Sequence, residues 1–126
     1  GADYSIPPSG RRNVLLLRIH TYIAQNLTDP KLSPTTIATA CHISTRYLHT
    51  LFRQQGDTVA GWIRDRRLDR CRHDLADPRL RSLPVSAIAA RWGLIDAARF
   101  SRAFRAAYGV PPTVYRRMTA PPGRSR

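Results

Sequence analysis

The sequence predicts an all-α chain of about seven helices, organised as two helix-turn-helix subdomains joined by a long connecting helix. Apolar residues recur at three- and four-residue spacing along most of the chain, and no stretch of useful length alternates as a strand does. More telling, the segment from Ile37 to Arg64 recurs imperfectly from Ile88 to Arg117. Ile37-Ala38 returns 51 residues later as Ile88-Ala89, and Cys41-His42-Ile43 meets Trp92-Gly93-Leu94 at the same offset. The offset then becomes 52, pairing Ser44, Leu48, Leu51 and Phe52 with Asp96, Phe100, Ala103 and Phe104. It becomes 53 at Gly56/Gly109 and Trp62/Tyr115. Residues are gained only in turns, so one supersecondary unit is used twice.

Each element has a local reason. Residues 1–10 have linker composition, and a first helix is expected over about 11–27, stopped by Asp29-Pro30. Its apolar set Leu15, Leu16, Ile19, Tyr22, Ile23 and Leu27 has helical spacing. Ser33-Pro34 reads as a serine cap with proline at the first helical position, opening a short helix over 34–41. Ala38 is small enough to let a second helix cross closely. A turn at Cys41-His42-Ile43 leads to a helix over 44–55 that Ser44 can cap. There Leu48, Leu51 and Phe52 point inward, leaving Thr45, Arg46, His49, Thr50 and Arg53 outward.

The longest helix is expected over 58–76, closed by Asp77-Pro78. Val59, Trp62, Ile63, Leu68, Cys71 and Leu75 form its buried stripe, with Trp62 and Trp92 both expected to be largely buried. Its other side carries Arg64, Arg66, Arg70 and Arg72 against Asp65, Asp69 and Asp74, which reads as an ion-paired, solvated face. At 1.5 Å per residue such a helix is about 28 Å long, near the ~34 Å of one duplex turn. Two helices over 84–91 and 96–107 repeat the first pair. Gly93 supplies positive φ in their turn, Asp96 caps, Phe100, Ala103 and Phe104 pack, and Arg99, Arg102 and Arg105 face out. Gly109-Val110-Pro111-Pro112 leads to a last short helix with Tyr115, Arg116 and Arg117, followed by a disordered tail over 119–126. The subdomains are therefore expected at 11–57 and 77–118, with 58–76 between them.

Composition narrows the partner. The 126 residues carry a formal charge of +13, built from 20 arginines and one lysine against eight aspartates. After Asp96 come seven arginines and no acid. Arginine makes planar bidentate contacts with phosphate and guanine, so the balance favours nucleic acid. Cys41 and Cys71, the only cysteines, fit buried reduced side chains and a reducing cytoplasm. Val14–Leu17 is too short an apolar run to cross a membrane.

Three stretches resemble the DNA-binding domain of the AraC/XylS family of bacterial transcription regulators. They are LSPTTIATACHISTRYLHTLFRQQG (Leu32–Gly56), RRLDRCRHDL (Arg66–Leu75) and PVSAIAARWGLIDAARFSRAFRAAYGVPPTVYRR (Pro84–Arg117). The resemblance covers residues 11–118. It departs at His42, where glycine is frequent, at Cys71 for alanine, at Leu94 for phenylalanine, and at Pro84 in the cap of the fifth helix. It implies sequence-specific binding of double-stranded DNA by two recognition helices in successive major grooves. By motif position, base contacts would come from Arg46, His49 and Thr50, and from Ala98, Arg99 and Arg102. Ser44, Arg53, Arg105 and Arg116 would hold phosphates. It further implies a regulator, more often an activator touching RNA polymerase, with a missing N-terminal sensing or dimerisation domain, acting at the bacterial nucleoid.

Other chemistries fare worse. Cys41-His42 and Cys71-x-His73 lack the gap of a structural zinc site, so no metal or cofactor is implied. The aspartates are spaced for capping and ion pairing, and no nucleophile–base pair is readable, so no catalytic residue is expected. Cys41, with Arg46 near it in sequence, leaves an oxidation-sensing role open. The main alternative is a basic helical module that docks an acidic protein or binds nucleic acid without sequence preference; salt slope and competition by scrambled duplex would separate them.

Overall fold

The computed structural model describes residues 8–120, and among these the secondary structure is entirely helical. Seven α-helices follow in order: α1 (Pro8–Gln25), α2 (Pro34–Ala40), α3 (Thr45–Gln54), α4 (Val59–Leu75), α5 (Val85–Arg91), α6 (Ala97–Tyr108) and α7 (Pro112–Met118). A single 3-10 turn, Pro78–Leu80, lies between α4 and α5 and was not expected. It forms because Asp77 caps it through the Arg79 amide at 2.9 Å and Pro78 presets its first dihedral. The first helix is shifted from the expected 11–27: Pro8 to Gly10 are helical, and the helix ends at Gln25. Of the linker expected over 1–10, residues 1–7 lie outside the described residues, as do 121–126 of the expected tail.

The chain forms two compact units. Among the described residues, the first comprises those up to 26 with 32–62, the second 27–31 with those from 63 onward. The division falls inside α4, between Trp62 and Ile63, within the connecting helix expected over 58–76. The first turn of α4 belongs to one core and the rest to the other.

In the first unit α2 packs on α1 and α3. Ile19, Ile23, Ile37, Leu48, Phe52 and Val59 are fully buried there. Ser33 and Thr36 form a reciprocal capping box that starts α2: the Thr36 amide donates to Ser33 Oγ at 3.3 Å and the Ser33 amide to Thr36 Oγ1 at 3.0 Å. Trp62 lies edge-on to Phe52, centroids 6.0 Å apart, and stacks on His20 at 4.5 Å. The second unit buries Leu68, Cys71, Leu75, Ile88, Ala89, Phe100 and Phe104. Tyr115 meets Phe104 edge-on at 5.6 Å, so the Phe52–Trp62 contact of the first unit recurs at its repeat positions.

Both tryptophans are mostly buried, as expected, and neither is fully so. Trp92 is further tied by its indole N–H, which donates to Asp74 Oδ2 at 2.8 Å, while Arg91 pairs with the same oxygen at 3.3 Å. The Asp74 carboxylate therefore faces α5, whereas Asp69 keeps the expected pairing along α4, at 2.7 Å from Arg72. Cys41 and Cys71 are buried free thiols, and burial pushes the Cys71 thiol up from 9.0 to about 12.

Two outcomes follow from this packing. Because Trp62 is not fully buried, Trp62→Ala should cost about 2 kcal/mol, below the ~3–5 of a fully buried aromatic, as read from urea unfolding. A loss of about 5 kcal/mol, or none, would contradict the placement. Cys71 remains a neutral thiol in the fold, so its contribution is complete below pH 9.0 and is lost as the pH rises through about 12. The stability difference between the parent and Cys71→Ala should therefore move against the parent across that alkaline window. A difference that stays constant there means that the thiol titrates normally.

Candidate nucleic-acid interface

The two turns are built from the same bonds. After α2, the His42 amide donates to Thr39 O at 3.2 Å and the Ile43 amide to Ala38 O at 3.0 Å. After α5, the Gly93 amide donates to Ala90 O and the Leu94 amide to Ala89 O, both at 3.0 Å. This is a Schellman closure twice over, and it requires a left-handed residue just past each helix. His42 takes φ 59° and Gly93 φ 80°. Ser44 then caps α3 by accepting from the Tyr47 amide at 3.0 Å, and Asp96 caps α6 by accepting from the Arg99 amide at 3.1 Å. Turn and cap together fix where each second helix starts and which way it faces.

The burial pattern separates the two sides of each second helix. On α3, Leu48, Leu51 and Phe52 are buried, while Ser44, Arg46, His49 and Arg53 are exposed. Arg46, His49, Thr50 and Arg53 stand at i, i+3, i+4 and i+7, one continuous stripe. Thr50 is half-buried, and its hydroxyl donates to Arg46 O at 3.0 Å and accepts from Arg53 Nη2 at 3.2 Å. On α6, Phe100 and Phe104 are buried, and Ala98, Arg99, Arg102 and Arg105 are exposed. Each stripe is cationic and lies opposite its own core. The structure thus brings the expected residues of each unit together on one face.

Arg116 is placed otherwise. Its Nη2 donates to Leu80 O at 2.9 Å, its Nε is buried, and the side chain is half-buried. This bond ties α7 to the carbonyl end of the 3-10 turn. Arg117 beside it is exposed.

One residue that sequence reasoning passed over is Arg67, which is 8% exposed. Its Nε donates to Leu27 O at 3.0 Å and its Nη2 to Asp29 O at 2.6 Å. Burial lowers its pKa, while the Asp29 carboxylate raises it, and a guanidinium remains charged under such shifts. The signal was available: Ile63, Arg67, Cys71 and Leu75 form one i, i+4 row on α4, and a cation inside an apolar row needs a partner. Arg64, Arg67, Arg99 and Arg102 line one open cavity of about 480 Å³ with Asp96 its only acid, so cationic charge gathers at the start of α6. Among the described residues no His/Cys/Asp cluster is placed to hold a metal ion, and no helix is long and apolar enough to cross a membrane.

The geometry is that of known proteins. The family model of a helix-turn-helix domain matches residues 37–118, which spans both repeats. The chain is 36% identical to the transcriptional activator NphR of a Rhodococcus species over 81% of this chain and 30% of that protein. It is 30% identical to the arabinose operon regulatory protein of Escherichia coli K12 over 75% of this chain and 32% of that protein. It spans about a third of the length of such relatives. Among solved structures, the C-terminal domain of AraT, a response regulator from Geobacillus stearothermophilus, superposes with a TM-score of 0.78 at 26% identity, covering 89% of this chain and 91% of that one. A transcriptional regulator of the AraC type from Chromobacterium violaceum gives 0.77 at 26% identity, covering 88% and 96%. By its repeated motif, its turns and these likenesses, the chain belongs to the AraC/XylS family of helix-turn-helix regulators.

Proposed function

We propose that this chain is the DNA-reading part of a bacterial transcription regulator and that α3 and α6 each enter the major groove of double-stranded DNA. The observation that carries this reading is the duplicated turn, followed each time by a capped helix with a cationic outer face. A helix displayed in this way fits the major groove, where bidentate guanidinium contacts distinguish guanine. Arg46 and His49 on α3 and Arg99 and Arg102 on α6 read bases, Ala98 offers a methyl to thymine, and Thr50 reads only if it gives up its local bonds. Arg53 and Arg105, with the Ser44 hydroxyl, hold phosphates. The protein binds as a monomer to two unlike half-sites set about 10–11 base pairs apart in the same orientation.

The rest of the role is proposed with it. NphR is by its name an activator, which supports activation, through contact with RNA polymerase, here too. The length of the relatives supports a sensing or dimerisation domain outside this sequence. The place of action is the nucleoid of a bacterial cytoplasm.

Selection from a random duplex pool tests the core of the reading. It should return two unlike blocks, whereas a palindrome, a single block or no preference over scrambled duplex would overturn it. On the selected site, Arg46→Ala or Arg102→Ala should cost about 1–3 kcal/mol and relax preference at one base pair. Arg105→Ala should weaken selected and scrambled duplexes alike and reduce the salt slope by about one. If Arg46→Ala and Arg102→Ala also weaken both duplexes equally, these arginines are phosphate anchors. Arg116→Ala should act on folding, lowering stability by about 1–2 kcal/mol with the salt slope unchanged at temperatures where the variant is folded.

A further inference from the structure

The two turns obey one backbone rule but differ in what lies behind the left-handed residue. His42 is exposed, and its side chain points to solvent. Gly93 is buried, and a Cβ added to it would stand 2.9 Å from Arg67 Cζ and Nη2 and 3.1 Å from Nε. The guanidinium thus lies in the space that a side chain at position 93 would occupy. The same group is held in place by the carbonyls of Leu27 and Asp29. Two residues separate Gly93 from Asp96, the cap of α6, and Arg99 and Arg102 follow on that helix.

We infer that Arg67 is a positioning residue for the second reading helix: its buried guanidinium is a rigid backstop that sets the Gly93 turn, and through it the start of α6, against the 27–31 segment. The inference rests on the proposed reading of DNA by α6. Arginine suits the task for a physical reason. Its planar head donates from Nε and Nη2 to two carbonyls while presenting a flat surface to the glycine Cα. Lysine has one compact ammonium on a flexible stem and cannot do both. Glycine at 93 serves two needs, the positive φ and the missing Cβ, whereas position 42 has only the first. The first reading helix has no counterpart of this backstop, because the residue at its turn is exposed.

The test compares Arg67→Met and Arg67→Lys with Ile88→Val, a conservative core change in the same unit, at temperatures giving each the same unfolded fraction. Hydrogen exchange of the intact chain, without DNA, reads the turn directly. Arg67→Met should speed exchange at the amides of Leu94 and Arg99 at least tenfold beyond Ile88→Val. The matching amides of the first turn, Ile43 and Tyr47, should be unchanged. Arg67→Lys should fall between Arg67→Met and the parent. On the selected duplex, preference in the block read by α6 should drop about tenfold while the α3 block keeps its own. Should Arg67→Met not fold, Arg67→Lys carries the test and should show the same pattern in smaller degree. Equal exchange at both turns, or a pattern equal to that of Ile88→Val, overturns the backstop. If the parent itself selects no two-block site, the DNA reading has failed, and the exchange pattern still decides the role of Arg67.

Discussion

Everything in each unit depends on a reversal of the chain within a few residues. A helix that ends must leave its last carbonyls satisfied, and a second helix must begin almost at once without colliding with the first. One left-handed residue meets both demands by turning two amides back onto the closing turn, at Ala38 and Thr39 in one unit and at Ala89 and Ala90 in the other. The small side chains of Ala38 and Ala89, almost fully buried, permit the close crossing that follows. The cap comes next, and the register of the second helix is then set. Its inward residues fill the core, and whatever stands opposite is offered outward.

Magnitudes separate structural from incidental charge. The exposed pairs Arg64–Asp65 at 3.5 Å and Arg79–Asp77 at 2.9 Å are surface contacts, of the kind that contributes little in water. The arginines that matter to the fold bind carbonyls: Arg67 to Leu27 and Asp29, Arg116 to Leu80. Removing such a guanidinium strands its carbonyl partners, and for the buried site at Arg67 the loss is not offset by solvent. A chain so rich in arginine therefore divides its cations into a few that hold loops and many that face outward.

Most of the architecture was legible in the sequence because the repeat carries its own internal check. Phe52 and Phe104 had to be core if Leu48 and Phe100 were, and the glycines at 56 and 109 had to mark turns, as their positive φ values bear out. What escaped reading shares one cause, a side chain whose partner is remote in sequence. Arg67 reaches back about forty residues to Leu27, and Arg116 reaches back to Leu80, so both were read by their helix and not by their bond. Both tryptophans were read as largely buried, but how completely each is covered was not legible. A large ring can sit on an apolar stripe and still leave an edge at the surface. Boundaries of α1 and the 3-10 turn depended on a proline and a cap whose local effects compete with the longer pattern.

The extra residue in the second turn is Ile95, which is 75% exposed. It lengthens the path from Leu94 to Asp96 by one residue relative to that from Ile43 to Ser44, so the second turn is not a copy of the first. Nor do the two units present the same surface: an imidazole and two guanidiniums on one, three guanidiniums and a methyl on the other. The two reading surfaces can therefore be told apart. On a duplex, whose backbone looks much the same from either end, such a chain lands with a direction. Reversing the order of the two blocks in a site would then make a different site for the protein, which is not so for a palindrome.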